Sequence, residues 1–258
     1  MYSWKIVPIS KNQKLDVKEE DLLENGLFRK CNTYRGGGGY DRFPVICQKR
    51  LGVKLAQQFI VQLRGCNLDC PYCYVTREGV WGYPVGRTSQ ELVSSFQRSN
   101  QEVFHLMGGA PALYLDYWTE LIAEIKGRCP GKVFHSDLML SEGVYKIETL
   151  KRINQDNCLY AINIKGLNTK EWKKNTRKDF NLRLFWANLR KVYESNLNCY
   201  FTFTGCNPDN LPDFFHQIKT KMGSAVLDFV QKDWFAIDLI NYHASDHVDS
   251  IRWGESQQ

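Results

Sequence analysis

Gln58-Phe59-Ile60-Val61-Gln62-Leu63-Arg64-Gly65-Cys66-Asn67-Leu68-Asp69-Cys70-Pro71-Tyr72-Cys73 joins two signals that decide the fold. Its first seven residues are short, apolar and β-branched, the pattern of a buried strand. The strand leads straight into three cysteines spaced x3 and then x2. Three thiolates can hold three irons of a [4Fe–4S] cube and leave the fourth iron open to a substrate or cofactor. Three close cysteines could also belong to a zinc site, which needs a fourth ligand. No Cys or His lies within a few residues of the run to supply it.

Outward from this stretch, strand-like and helix-like runs alternate. Thr88 to Asn100 reads as a helix with Thr88 or Ser89 as cap and Glu91 in the first turn. Glu102–Met107 reads as a second strand, closed by Gly108-Gly109-Ala110-Pro111. A helix over Asp116–Arg128, a strand over Lys132–Asp137 and a helix over about 143 to 154 follow. Cys158–Lys165 is the fourth strand, Thr169–Ser195 is helical, and Asn198–Thr204 is the fifth strand. Pro208–Lys221 is a helix, and Ala225–Val230 is expected to be the sixth strand. Strands alternating with helices make parallel βαβ units. Six units are too few for a closed eight-stranded barrel, so the expected fold is α/β: an open, partial (β/α)6, TIM-like barrel with a parallel sheet. In such folds the chemistry sits at the carboxyl ends of the strands. The cysteine loop, the Gly108-Gly109 loop and Lys165 all fall at that end.

Residues 1–55 do not follow the rhythm and read as an N-terminal extension, with a helix over residues 17 to 29. Its run Arg35-Gly36-Gly37-Gly38-Gly39-Tyr40 has no Lys-Ser/Thr after it, so it is a linker or lid and not a P-loop. Residues 56–233 form the core, and 234–258 a C-terminal extension packed on the barrel. Trp234–Tyr242 can be strand or helix there.

The chain has 258 residues, enough for one large domain. No run approaches the roughly 18 to 20 apolar residues of a membrane helix, and the start lacks a secretory apolar core, so a cytoplasmic protein without a membrane partner is expected. Nine cysteines without an export signal suit a reducing compartment with a metal site better than disulfides. A net charge of +6 allows an anionic partner, but mild positive charge is common and names none.

The spacing Cys66-x3-Cys70-x-Tyr72-Cys73, with Gly108-Gly109-Ala110-Pro111 after the second strand, resembles the radical S-adenosylmethionine (radical SAM) enzymes. That resemblance implies one [4Fe–4S] cluster on Cys66, Cys70 and Cys73, with S-adenosylmethionine (SAM) chelated at the open iron. It implies that one electron cleaves the sulfonium C–S bond, and that the 5′-deoxyadenosyl radical abstracts a substrate hydrogen. Tyr72 would sit against the adenine, and Gly108, Gly109 and Pro111 would shape the pocket around the SAM amino group. Ala110 stands where the family often has an acidic residue, leaving more of the binding to backbone groups. Ser136 and Asp137 would contact the ribose or amino acid moiety of SAM. Asn163 and Lys165 resemble the Asp-x-Lys that ends the fourth strand of glycyl-radical-enzyme activating enzymes, with Asn in place of Asp. Lys165 would pair with the SAM carboxylate. The implied partners are a reductant such as flavodoxin or ferredoxin, and a glycyl-radical enzyme as substrate. A radical SAM modifier of a small molecule, nucleotide, RNA or peptide is the alternative, and a non-catalytic metal- or RNA-binding module is an alternative of another class.

The remaining candidates have bland readings beside the chemical ones. Cys199 and Cys206 bracket the fifth strand, roughly 20 Å apart, and cannot share a cluster. Cys158 and Cys199 read as core, and Cys206 as a loop cysteine or a redox thiol. Cys31 and Cys47 supply only two of the ligands that a second cluster needs. His105 and His135 hold corresponding strand positions. Alternation puts His135 on the face of Asp137; the two histidines could face the barrel interior near substrate, and satisfied packing is the usual explanation for such residues. His243 and His247 read as surface. Trp81, Tyr83 and Trp118 could line a substrate mouth or fill core.

Overall fold

The computed structural model describes residues 3–9, 17–32, 49–52, 57–237 and 251–253. The Gly36–Gly39 run, Cys47, His243 and His247 lie outside them. The described chain forms two compact units. Of the described residues, the first takes those up to Cys66, with Tyr74–Asp137 and Gln155–Leu159; the second takes Asn67–Cys73, Leu138–Asn154 and those from Tyr160 onward.

In the first unit, β1 (Trp4–Ile6) pairs antiparallel with β5 (Val85–Arg87). A sheet is built from β2 (Leu22–Leu23), β3 (Phe28–Asn32), β4 (Gln57–Gln62), β6 (Val103–Met107) and β7 (Val133–Leu138). β2, β3 and β4 pair antiparallel, whereas β4, β6 and β7 run parallel. The helices are α1 (Arg77–Trp81), α2 (Ser89–Ser99) and α3 (Leu115–Arg128). Thr88 caps α2 as expected. Its hydroxyl accepts from Glu91 N at 3.2 Å, and Glu91 Oε2 accepts from Thr88 N at 2.7 Å, a capping box.

The register puts Phe59, Phe104 and Phe134 side by side. These rings face the helices: Phe59 and Phe104 meet Phe96 of α2 at 5.8 and 5.4 Å, and Phe134 meets Trp118 of α3 at 5.6 Å. Trp118 is therefore core and does not line a mouth, whereas Trp81 and Tyr83 are exposed. The next row, Ile60, His105 and His135, points to the opposite face.

The second unit holds β8 (Cys158–Ile164), β9 (Cys199–Thr204) and β10 (Trp234–Ile237), paired parallel, with β11 (Ile251–Trp253) antiparallel to β10. The first two residues of β8 belong to the first unit. Helices α4 (Ile147–Ile153), α5 (Thr169–Thr176), α6 (Leu182–Glu194), α7 (Leu211–Met222) and α8 (Ser224–Gln231) alternate with the strands. Phe203 of β9 meets Phe214 of α7, and Phe201 meets Phe229 of α8. Cys158 and Cys199 are buried core, as their strand-start positions suggested. Each unit holds three parallel-paired strands alternating with helices, so the fold is α/β with mostly parallel strand pairing. Among the described residues no helix is long and apolar enough to cross a membrane.

Two expected elements are different. Residues 17 to 29 hold a 3-10 turn at Glu19–Asp21 and the β2–β3 hairpin, not a helix. Glu24, Asn25 and Gly26 take left-handed φ values of 49°, 57° and 82°, and an Asn-Gly pair favours such a tight turn. Residues 224–231 form helix α8 and not the sixth strand. Val226 and Val230 are the buried pair, four apart, which is helical spacing. The strand lies at Trp234–Ile237 instead.

Candidate functional site

The first unit carries the chain to Cys66. The β4 exit is held by backbone bonds from Leu63 N to Met107 O (3.3 Å), Arg64 N to Lys5 O (2.9 Å), Gly65 N to Val80 O (2.7 Å) and Ala110 N to Gly65 O (2.7 Å). Tyr114 donates its hydroxyl to Arg64 O at 2.8 Å. At the β6 exit, Gly108 and Gly109 have φ of +75° and +62°. A Cβ on Gly109 would overlap the carbonyl oxygens of Leu63 and Gly65. Only glycine lets the β6 loop lie against the backbone that precedes Cys66. Ala110 and Pro111 follow, both buried; Ala110 presents no polar side chain.

At the end of β7, Ser136 and Asp137 point to opposite faces. Ser136 lies on the helix side with Phe134, fully buried, and donates its hydroxyl to Leu106 O at 3.2 Å. Asp137 shares the other face with His105 and His135, which are in register on β6 and β7 with ring centroids 4.2 Å apart.

The second unit holds the rest of the cysteine loop, Asn67–Cys73. Asn67 Nδ2 donates to Ser141 O at 2.8 Å, Asp69 N donates to Thr176 O at 3.0 Å, and Arg177 Nη1 lies 3.6 Å from Asp69 Oδ2. Cys73 N bonds Cys70 O at 3.0 Å, closing a turn between two of the cysteines. The anchor at Ser141 is itself fixed. Glu142 accepts from Met139 N (2.8 Å), Ser141 N (3.2 Å) and the Tyr145 hydroxyl (2.6 Å), and Asn188 Nδ2 donates to Leu140 O (3.1 Å) and Gly143 O (2.7 Å). Burial pushes the Glu142 carboxyl up while those hydrogen bonds pull it down.

Cys66, Cys70 and Cys73 are each half-buried and form no disulfide. Lys165, just past β8, places Nζ 5.4 Å from the centre of the buried Tyr72 ring. Burial pushes the Cys70 thiol up, and the Lys165 cation opposes it. Asn163 pairs across to Thr202 and hydrogen-bonds its hydroxyl. Cys206 is buried, its thiol pushed up first by burial and then by Glu171, with Lys165 pulling against both.

Two residues that position the site carried no signal as such in the sequence. Asn175, fully buried, donates Nδ2 to both Lys165 O (2.8 Å) and Gly205 O (2.9 Å), joining the exits of β8 and β9. Glu171 accepts from Leu167 N (2.9 Å), Asn207 N (3.0 Å) and Asn210 Nδ2 (2.6 Å), fixing the same two exits from the first turn of α5. The only hint was Asn168-x-x-Glu171, a helix-start pattern directly after a strand.

The β4 exit leads to three cysteines on the next loop, and the β6 exit makes a glycine turn, in a parallel α/β fold. The sequence model of the radical SAM superfamily matches residues 60–218, well over half of the chain, and the chain belongs to that superfamily. No curated protein sequence matches. Solved structures similar to this chain include polyhistidine-tagged anSMEcpe with bound AdoMet (15% identity, TM-score 0.48, covering 61% of this chain and 45% of that one). Native anSMEcpe with AdoMet and the Kp18Cys peptide is similar at 16% identity and TM-score 0.45, covering 61% and 46%. Streptococcus suis SuiB bound to S-adenosylmethionine is similar at 13% identity and TM-score 0.42, covering 69% and 40%. The chain spans less than half the length of these three proteins.

Proposed function

We propose that this chain is a radical SAM enzyme that cleaves SAM reductively, with one cluster on Cys66, Cys70 and Cys73. The observation that carries the reading is the cysteine loop itself: three half-buried thiols, none in a disulfide, on a loop pinned by Asn67 and Asp69 at the exit of a parallel strand. That donor set fits a [4Fe–4S] cube with one iron left to an exogenous ligand. When bound, the cluster would supply the electron that splits the sulfonium bond of SAM to give a 5′-deoxyadenosyl radical.

The chain's own residues bind, orient and exclude water. Gly108 and Gly109 keep the β6 loop against the Cys66 approach, offering backbone carbonyls to an ammonium. Lys165 offers a point charge to a carboxylate, and Tyr72 an aromatic face. Asp137 offers a carboxylate oxygen to ribose hydroxyls. Ser136, fully buried on the helix side with its hydroxyl proton given to Leu106 O, braces β6 against β7 and does not share the face that Asp137 offers. Asn163 orients through Thr202. For the substrate, the resemblance to glycyl-radical-enzyme activating enzymes favours a protein glycyl radical site, with a flavodoxin or ferredoxin as reductant. A small molecule, nucleotide, RNA or peptide is the alternative.

Anaerobic reconstitution tests the reading. It should give roughly four irons per chain, and dithionite with SAM should release 5′-deoxyadenosine. The triple variant Cys66→Ala, Cys70→Ala, Cys73→Ala should hold no cluster. Zinc in place of iron, with no SAM cleavage, would overturn the proposal. Activation of a glycyl-radical protein, or its absence, separates the two substrate readings.

A further inference from the structure

We infer that His105, His135 and Asp137 form a binding site for a divalent transition-metal ion of the zinc, cobalt or ferrous class, with ligands distinct from the three cysteines. His105 on β6 and His135 on β7 are direct partners in the parallel register. Asp137, two residues along β7, shares the face of His135 by alternation. One nitrogen from each ring and one carboxylate oxygen all lie within 4.8 Å of one another. Ligands on a shared ion of this class stand about 2.0–2.2 Å from it, hence at most about 4.4 Å from one another, so the three side chains would draw in as an ion seats. Two imidazoles and one carboxylate are a donor set that such ions favour, and three protein ligands leave a position for water or for an oxygen or nitrogen donor of a bound molecule.

The surrounding residues prepare one ligand. Gln58, on the same face of β4, directs Oε1 at His105 Nδ1. An amide oxygen only accepts, so in the tautomer that donates Nδ1–H to Gln58, Nε2 is the nitrogen open to an ion. Metal-bound histidines are commonly held this way, their second nitrogen donating to an oxygen. Arg29 opposes a cation at this site and the Asp137 carboxylate favours one. Simple core packing would explain one buried histidine. It does not explain two in register with a carboxylate on the same face and an amide directed at one ring.

Asp137 has two oxygens, so a metal on one leaves the other for the ribose contact proposed above. The inference does not depend on the cluster, and the two are counted separately. The test uses anaerobically reconstituted enzyme given a slight excess of zinc chloride, desalted, with iron and zinc measured by mass spectrometry. The expected result is about one zinc per chain beside about four irons. His135→Gln and Asp137→Asn should each lose most of the zinc and keep the iron. Should a variant fail to fold, zinc-edge X-ray absorption of the wild type decides. Nitrogen and oxygen neighbours at about 2.0–2.2 Å are expected, with an imidazole signature, whereas sulfur at about 2.3 Å would place the zinc on cysteine. No retained zinc, zinc undiminished in folded variants, or a sulfur shell would each overturn the assignment.

Discussion

Lys165 acts on several groups at once: its ammonium stands over Tyr72 and pulls against the raised thiols of Cys70 and Cys206. Lys165→Gln should weaken SAM binding about tenfold, the loss of one charge-assisted contact, while iron content stays at the wild-type level. Equilibrium dialysis with labelled SAM measures it, and unchanged affinity would remove Lys165 from the proposed binding site. Cys206 is the contrasting case. Its thiol is raised above the ordinary 9.0, so the unfolded chain releases that proton at lower pH than the folded one. The stability this contributes is present below about pH 9 and is lost as pH rises beyond it. Cys206→Ala should flatten the fall in denaturation midpoint above about pH 9, and at about pH 8 Cys206 should resist alkylation in the native protein. Rapid labelling there would restore the redox reading.

Elements were legible where one local signal settled them. The Thr88–Glu91 capping box, the cysteine-bearing exit of β4 and the amphipathic α3 were all plain in the sequence. They failed where two signals competed. Leu22-Leu23 and Leu27-Phe28 look helical until Asn25-Gly26 is read as a turn. Ala225–Val230 is apolar and β-branched enough for a strand, until the buried pair proves to be four apart. The three cysteines and the glycine turn of the candidate site could be read from local pattern. Asn175, Glu171 and Asn188 could not, because their partners are carbonyls and amides brought near only by folding. Asn175→Ala should cost about 2–3 kcal/mol, since it leaves two carbonyls without their donor, and should loosen the Lys165 exit. Chemical denaturation reads the first effect and SAM affinity the second. Thr88→Ala, removing a cap far from Lys165, should cost about 1 kcal/mol and leave SAM affinity alone.

For the molecule as a whole, metal and stability should be linked. A ligand bound only by the folded state raises its stability, so stripping the iron anaerobically should lower the thermal midpoint, and reconstitution should restore it. The triple cysteine variant should lose the larger part of that shift; adding His135→Gln to it should remove what remains on iron addition, and a shift that survives both would place the metal elsewhere.

The strand β1 has a practical meaning. Lys5 O accepts from Arg64 N, and Arg64 is two residues before Cys66, about 7 Å of extended chain. Trp4 next to it is fully buried, with Nε1 on Ser89 Oγ at 3.1 Å. If the three cysteines hold a cluster as proposed, a bulky fusion ahead of Trp4 should slow iron loading without touching a ligand, and removing it before reconstitution should restore the rate.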